Sequence, residues 1–243
     1  MNTKLLITFA VAILSVQASL QAAVSFEDGE TGYSFGTDAG ATLQRSTEQA
    51  HSGLYSAKLQ LSDANPSADF AKINVPWTSS TLGQTSATCW DYVPSSNVRS
   101  DVAPYLYFIV DCNSNGLYDY PNDGLVIAFV TGSESNPTDA WFQTSLDSTT
   151  KVHVVGNRTG LGATEFSSSN GLTMGTLADL CAKPYSGATT WGDLSMVMVR
   201  AGAGEWPGAT GYTAYVDDLT VVPEPATMCL LGVGAVALIR RRK

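Results

Sequence analysis

The chain is predicted to fold as an all-β protein, an antiparallel β-sandwich, on three observations. Short runs rich in β-branched and aromatic residues recur along the body, several with period-two alternation of apolar and polar positions. The gaps between them are filled with Gly, Ser, Asn, Asp and Pro, which favour turns. One short segment alone, "MGTLADLCAK", has helical character. Many short strands with almost no helix point to two packed antiparallel sheets.

Strands are expected, in order, at "YSAKLQLS", "FAKINVPW", "TSATCWDYV", "PYLYFIVD", "GLVIAFVT", "KVHVVGN", "LSMVMVRAGA" and "YTAYVDDLTV". No repeat of fixed spacing and no long linker divides the body, so it reads as one domain. A sandwich buries alternate side chains of both sheets, which places Trp90, Tyr105, Tyr107, Phe129, Trp191 and Tyr215 in the core. Trp77, Trp141 and Trp206 stand beside Pro, Asp or Gly, in loops where a ring could stack on a ligand; Trp141 and Trp206 are the candidates for holding a glycan.

The two ends differ from the body. Lys4, the apolar run Leu5 to Val16 and the small residues of "ASLQAAVSF" have the order of a signal peptide, with a cut after Ala22 or, less favourably, after Ala18. The division expected is a signal peptide with its apolar helix over 1–22, a β-sandwich ectodomain over 23–222 and a C-terminal signal over 223–243. The ectodomain holds every acid except Glu224 but only eight of the thirteen bases, a net charge of −13. That charge argues against nucleic acid as a partner. It suits secreted proteins that use divalent cations, although solubility alone explains it equally. Of the four cysteines, Cys229 lies in the terminal apolar run; Cys89, Cys112 and Cys181 leave one thiol over from any single disulfide, and no pair is assigned.

At the C-terminus the apolar run Thr227 to Ile239 would span about 20 Å as a helix, short of a hydrocarbon core of about 30 Å. It is a poor permanent anchor unless Ala226 and the arginine stems extend it. The tip Arg240, Arg241, Arg242 and Lys243 would stay cytoplasmic, with the body outside.

The most specific internal motif is "IVDCNSNGLYDYPNDGLVIAF". Asp111, Asn113 and Asn115 alternate, Gly116 allows a sharp turn that brings in the carbonyl of Leu117, and Asp119 and Asp123 follow. Ca²⁺ takes six to eight oxygens, and a tightly wound loop turns every second side chain inward to supply them. The bidentate Glu of a helix-flanked calcium loop is absent, Asn122 standing there, and the flanks read as strands; this is a strand-loop-strand. The alternative is a polar hairpin tip whose Asn and Gly residues serve the turn. Three carboxylates on one tip repel one another without a cation, which favours Ca²⁺.

Catalytic signatures are missing. His51 and His153 lie in no nucleophile motif, and there is no G-x-S-x-G, H-E-x-x-H or phosphate-binding glycine loop. The sequon at Asn157 matters only in a eukaryotic secretory pathway. A non-enzymatic protein is expected, with a glycan-active hydrolase as the third reading.

Two resemblances sharpen these expectations. "VSFEDGETGYSFG", "STEQAHSGLYSAKLQLS" and "TAYVDDLTV" resemble the first strands and the last strand of carbohydrate-binding-module jelly rolls, the galactose-binding-like domains. That resemblance implies a jelly-roll sandwich and a second, structural calcium held by Glu27, the His51 to Tyr55 turn and Asp217, with Asp218 equally placed if the register differs. The closing "VPEPATMCLLGVGAVALIRRRK" closely resembles the PEP-CTERM sorting signal of Gram-negative, biofilm-forming bacteria: Pro223, Glu224 and Pro225, a short transmembrane helix, and an arginine cluster. It implies a membrane-held intermediate at the inner membrane, processing by signal peptidase and an exosortase near Pro-Glu-Pro, and delivery to the cell surface or exopolysaccharide matrix. The leading reading is a non-enzymatic, calcium-stabilised surface or matrix protein; the alternative is a module that binds matrix polysaccharide.

Overall fold

The computed structural model describes residues 22–27, 32–38, 40–62, 70–97, 103–128, 137–167, 174–204 and 211–223. The signal peptide and the residues after Pro223, including the expected transmembrane helix, lie outside these. Among the described residues no helix is long and apolar enough to cross a membrane.

The strands in chain order are β1 (Ala22–Val24), β2 (Ser34–Asp38), β3 (Thr42–Ser46), β4 (Ser56–Gln60), β5 (Phe70–Pro76), β6 (Thr85–Tyr92), β7 (Tyr105–Val110) and β8 (Gly124–Ala128). They continue as β9 (Trp141–Leu146), β10 (Lys151–Gly156), β11 (Gly175–Thr176), β12 (Pro184–Ser186), β13 (Thr189–Thr190), β14 (Met196–Gly204) and β15 (Thr213–Pro223). The first sheet has the order β3-β4-β15-β6-β9, with β1 also paired to β15. The second has the order β11-β10-β8-β7-β14-β5-β2, and β12 with β13 makes a small hairpin. Neighbours in both sheets are antiparallel, so the sandwich read from the sequence is the fold observed.

All eight quoted runs contain strands. The helical segment becomes α1 (Leu177–Cys181), whose Thr176 and Asp179 form a reciprocal capping box that satisfies the first amides. β3, β9 and the short β11, β12 and β13 lie outside the segments read as strands: "TLQRS", for one, carries too few apolar residues to announce a strand.

The two sheets meet over alternate positions. Ala57 and Leu59 of β4, Ala71, Ile73 and Val75 of β5, Ala87 and Cys89 of β6, and Leu106, Phe108 and Val110 of β7 are all at most 1% exposed. Trp191 closes one end of this core; it is fully buried and its Nε1 donates to the Thr159 carbonyl. The second sheet is apolar on its outer face too, where Tyr107, Ile109 and Val197 form a separate cluster with Phe70, Tyr105 and Ile127 packed against it. That double burial explains why "YLYFIV" shows no polar alternation.

Candidate functional site

The first sheet presents a row of aromatic side chains on its outer face. In β6 the inward positions are Ala87, Cys89 and Asp91, so Trp90 and Tyr92 point outward. Register sets Tyr92 opposite Tyr215 of β15 and opposite Trp141 of β9, and Tyr215 opposite Lys58 of β4. The rings touch in sequence: Trp141 to Tyr92 at 5.6 Å and Tyr92 to Tyr215 at 5.8 Å between centroids. His51 lies stacked on Trp90 at 4.0 Å and meets the edge of Trp141 at 5.6 Å. Trp90, expected in the core, is therefore outward-facing and half-buried; Tyr215 is buried as expected, at 5% exposure, but on the outer side of the sheet beneath Lys58; and Trp141, expected in a loop, belongs to a strand.

Carboxylates border the row. Glu48 accepts from the Tyr215 hydroxyl at 2.7 Å and pairs with Lys58 through both oxygens at 2.7 Å. Its hydrogen bond from Lys58, then that from Tyr215, hold its carboxyl below the usual range. Asp139 bonds the Tyr92 hydroxyl and accepts from the Ser95 amide at 3.0 Å, and its bonds to Ser95 lower its pKa.

At the edge of the row the His51 to Tyr55 turn is tied down by acids from both chain ends. Glu27 Oε1 accepts from the amides of Leu54 and Tyr55 at 2.7 and 2.8 Å. Asp217 Oδ2 accepts from the amides of His51 and Ser52 at 2.9 and 3.1 Å. A bulge between Asp217 and Thr220, with Asp218 at φ +48°, turns both acids toward the same turn. Asp218 thus meets His51 Nδ1 and the Ser52 hydroxyl, each at 2.7 Å. The structure gathers Glu27, the turn and Asp217 in one place, with backbone amides as the partners of the carboxylates. Burial raises the Asp217 pKa. Gly53 sits at φ +63°, and a Cβ there would collide with the Glu27 carboxylate. Gly53→Ala is expected to cost about 1–3 kcal/mol, read as a thermal midpoint several degrees lower; an unchanged midpoint would show that the turn relaxes freely.

The hairpin tip between β7 and β8 is wound by hydrogen bonds from backbone amides to its own side chains. Asp111 accepts from the amides of Asn115 and Gly116 at 3.1 and 2.8 Å, Asn113 from that of Asn115 at 3.1 Å, and Asn115 from that of Leu117 at 2.8 Å. Gly116 takes φ +74°. Asp119 accepts from the side-chain amides of Asn113 and Asn122 at 3.1 and 3.0 Å. Asp123, fully buried, accepts from the amides of Cys112 and Asp119 at 3.2 and 2.7 Å. Desolvation and the nearby charges of Asp111 and Asp119 raise its pKa. Among the described residues, no three His, Cys, Asp or Glu side chains are disposed to hold a metal. A cation at this tip would need the Asn and carbonyl oxygens as well; Asn113 and Asn115 are exposed, their side-chain oxygens accepting from backbone amides.

The other candidates separate. Trp77 is buried, with Nε1 donating to Ser80 Oγ at 2.7 Å, so it offers no stacking surface. Trp206 and Phe129 lie outside the described residues. Cys89, Cys112 and Cys181 are all thiols.

The C-terminal strand carries a second functional element. β15 runs through Pro223, where Val221, Val222 and Pro223 pair with Ala87, Ser86 and Thr85 of β6. On its other side Ala22 pairs with Val221 and Val24 with Leu219. Because β1 and β15 are antiparallel, Ala22 and Pro223 end at the same end of the sheet. Residues 221–243 match the PEP-CTERM protein-sorting motif. The motif marks a secreted protein sorted by way of the membrane in Gram-negative bacteria and implies exosortase processing. Its first three residues are therefore part of the folded sheet, and the division expected at Val222 and Pro223 falls inside a strand.

Comparison with curated proteins gives no match. Solved structures similar to the chain include the family 11 carbohydrate-binding module from Clostridium thermocellum in complex with a β-1,3-1,4-mixed-linked tetrasaccharide, at 7% identity and TM-score 0.45, covering 83% of this chain and 95% of that one. An endo-β-1,4-glucuronan lyase from the fungus Trichoderma reesei is similar at 9% identity and TM-score 0.47, covering 84% and 94%. A xylan-binding domain from Paenibacillus barcinonensis follows at 9% identity and TM-score 0.42, covering 84% and 94%.

Proposed function

We propose that the protein is a non-enzymatic, exported β-sandwich, sorted through its C-terminus to the cell surface or extracellular matrix, that binds polysaccharide along the outer aromatic row of its first sheet. The observation that carries this reading is the pair of Trp141 and Tyr92 on adjacent strands, backed by the buried Tyr215, with Trp90 and His51 beside it. Sugar rings present apolar C–H faces that aromatic rings cover well, while their hydroxyls need hydrogen-bonding groups at the margin. Gln143, on the same face opposite Trp90, and Glu48 supply such groups. The rings are tilted by 55° and 78° to one another. They would therefore hold a single chain from several sides, and a flat crystalline surface fits them poorly.

The test is retention of the full chain, in mild detergent, on immobilised polysaccharides. Trp141→Ala should lower retention about tenfold with the thermal midpoint kept. Equal retention of the variant, or release of reducing ends from the polysaccharide by the wild type, would overturn the reading.

Calcium at the Asp111 to Asp123 tip belongs to the same proposal, as a stabiliser. A ligand that binds only the folded state at about 100 times its Kd adds about 2.7 kcal/mol. Millimolar Ca²⁺ is thus expected to raise the thermal midpoint by about 5–10 °C. Asp119→Asn, which keeps the bonds from Asn113 and Asn122 within reach but removes a charge, should lose that rise and melt like the metal-free wild type. A midpoint indifferent to both Ca²⁺ and EDTA would remove calcium from the account.

A further inference from the structure

The charges around the aromatic row narrow the class of polysaccharide, an inference that rests on the carbohydrate-binding reading above. Glu48 stands at one end of the row with its side chain 57% exposed, Asp139 at the other, and Asp218 on the His51 flank with its side chain 38% exposed. Among the described residues the cation nearest the row is Lys58, whose Nζ is bound by both Glu48 oxygens and whose side chain is 13% exposed. Lys58 also leans over the Tyr215 ring, 5.8 Å from its centroid, so it is held under the rim. The margin therefore carries an excess of carboxylate, in an ectodomain whose net charge is already −13.

A polyuronate brought to this face would meet like charge at both ends of the row, which costs affinity and slows encounter. A neutral glycan would lose only the desolvation of the rim. A chain with free amines would gain twice: its ammonium groups complement Glu48, Asp139 and Asp218, and the negative faces of Trp141 and Tyr92 attract cations. Trp141 and Tyr92 on adjacent strands, their centroids 5.6 Å apart, make a short track that engages one sugar, with the carboxylates beside it placed for the amines of its neighbours.

We propose that the outer row of the first sheet selects a cationic amino-sugar polymer, one with free amines, over its neutral N-acetylated form and over polyuronates.

Three gels test this with the full chain in mild detergent: poly-glucosamine, its N-acetylated counterpart, and a polyuronate. The wild type should be retained on poly-glucosamine about tenfold more strongly than on the acetylated gel at low ionic strength. That preference should shrink in salt, and the polyuronate should retain nothing. Trp141→Ala leaves the charge untouched and should abolish the preference. If the variant kept it, retention would reflect only the general acidity of the protein and the inference would fall. The double variant Glu48→Gln, Asp139→Asn frees Lys58 and should abolish the preference, so that the variant is retained equally on the poly-glucosamine and acetylated gels. Equal, salt-independent retention on both amino-sugar gels, or retention on the polyuronate, would overturn the inference and keep the carbohydrate reading. No retention on any gel would overturn that reading itself.

Discussion

A chain that stops after Asp218 is expected not to fold, whereas one that stops after Pro223 is expected to keep a cooperative melt. The five residues between them complete β15, which is bonded to β6 on one side and to β1 on the other. Leu219 and Val221 are fully buried between the sheets. Burying each is worth about 1.5–3 kcal/mol, and the ladders from β1 and β6 would lose their partners along the same stretch. The total approaches the whole stability of an ordinary domain, about 5–15 kcal/mol. Circular dichroism melts of the two truncations decide the matter; a folded Asp218-terminated chain would show that β1 and β6 close without β15. The result bears directly on sorting. The motif begins at Val221, so a cut that leaves a folded body has to fall beyond the residues still paired in the sheet. Glu224 and Pro225 meet that condition, and Val221 does not. The pairing of Ala22 with Val221 adds that the expected signal-peptide cut and the sorting motif are neighbours across one ladder.

What the sequence disclosed and what it hid follow from the same period of two. Runs such as "FAKINVP" and "TSATCWDY" were legible as strands because polar and apolar residues alternate in them. Their orientation was less so. In "CWDY" the aromatic residues look like the buried parity, yet Cys89 and Asp91 face inward and Trp90 and Tyr92 face out. An acid at an inward position reverses the usual inference, and nothing local announces it. Trp141 was hidden in another way: the "PTDAW" before it reads as a loop, and the strand is made by pairing with β6, a contact distant in sequence. The row of Trp141, Tyr92 and Tyr215 joins three such strands, so no local window contains it. The hairpin tip at Asp111 to Asp123, by contrast, was legible because its geometry is set within 13 consecutive residues. Glu27, the His51 to Tyr55 turn and Asp217 were named through resemblance, as a calcium site, since they link the two ends of the chain; their observed ties are carboxylate-to-amide hydrogen bonds.

That inward acid carries the other large prediction. Asp91 is fully buried in the first sheet's inner face, with the Thr144 hydroxyl donating to its Oδ2 and Cys89 Sγ 3.6 Å from its Oδ1. Burial pushes its pKa from the ordinary 3.8 up to about 7, against the lowering effect of those two bonds. The folded state therefore holds this proton more tightly than the unfolded chain does. The resulting stability is fully present below about pH 4 and is lost as the pH rises to about 7, where the folded carboxyl gives up its proton. At about 1.36 kcal/mol per unit, the loss across that interval is about 4 kcal/mol. Asn in place of Asp91 keeps an acceptor for Thr144 and a donor where the neutral acid has one, without a charge to desolvate. Asp91→Asn should match the wild type near pH 4 and melt about 10 °C above it at pH 8. Asp123 and Asp217, raised by burial in the same direction, tilt both proteins alike, so the difference between the two pH profiles isolates Asp91. Parallel profiles would mean that this carboxyl ionises inside the sandwich at little cost, through water or a rearrangement of Thr144. Diverging profiles would show that the acid which turns Trp90 and Tyr92 outward is maintained against a penalty in the very strand that supplies two rings of the proposed binding face.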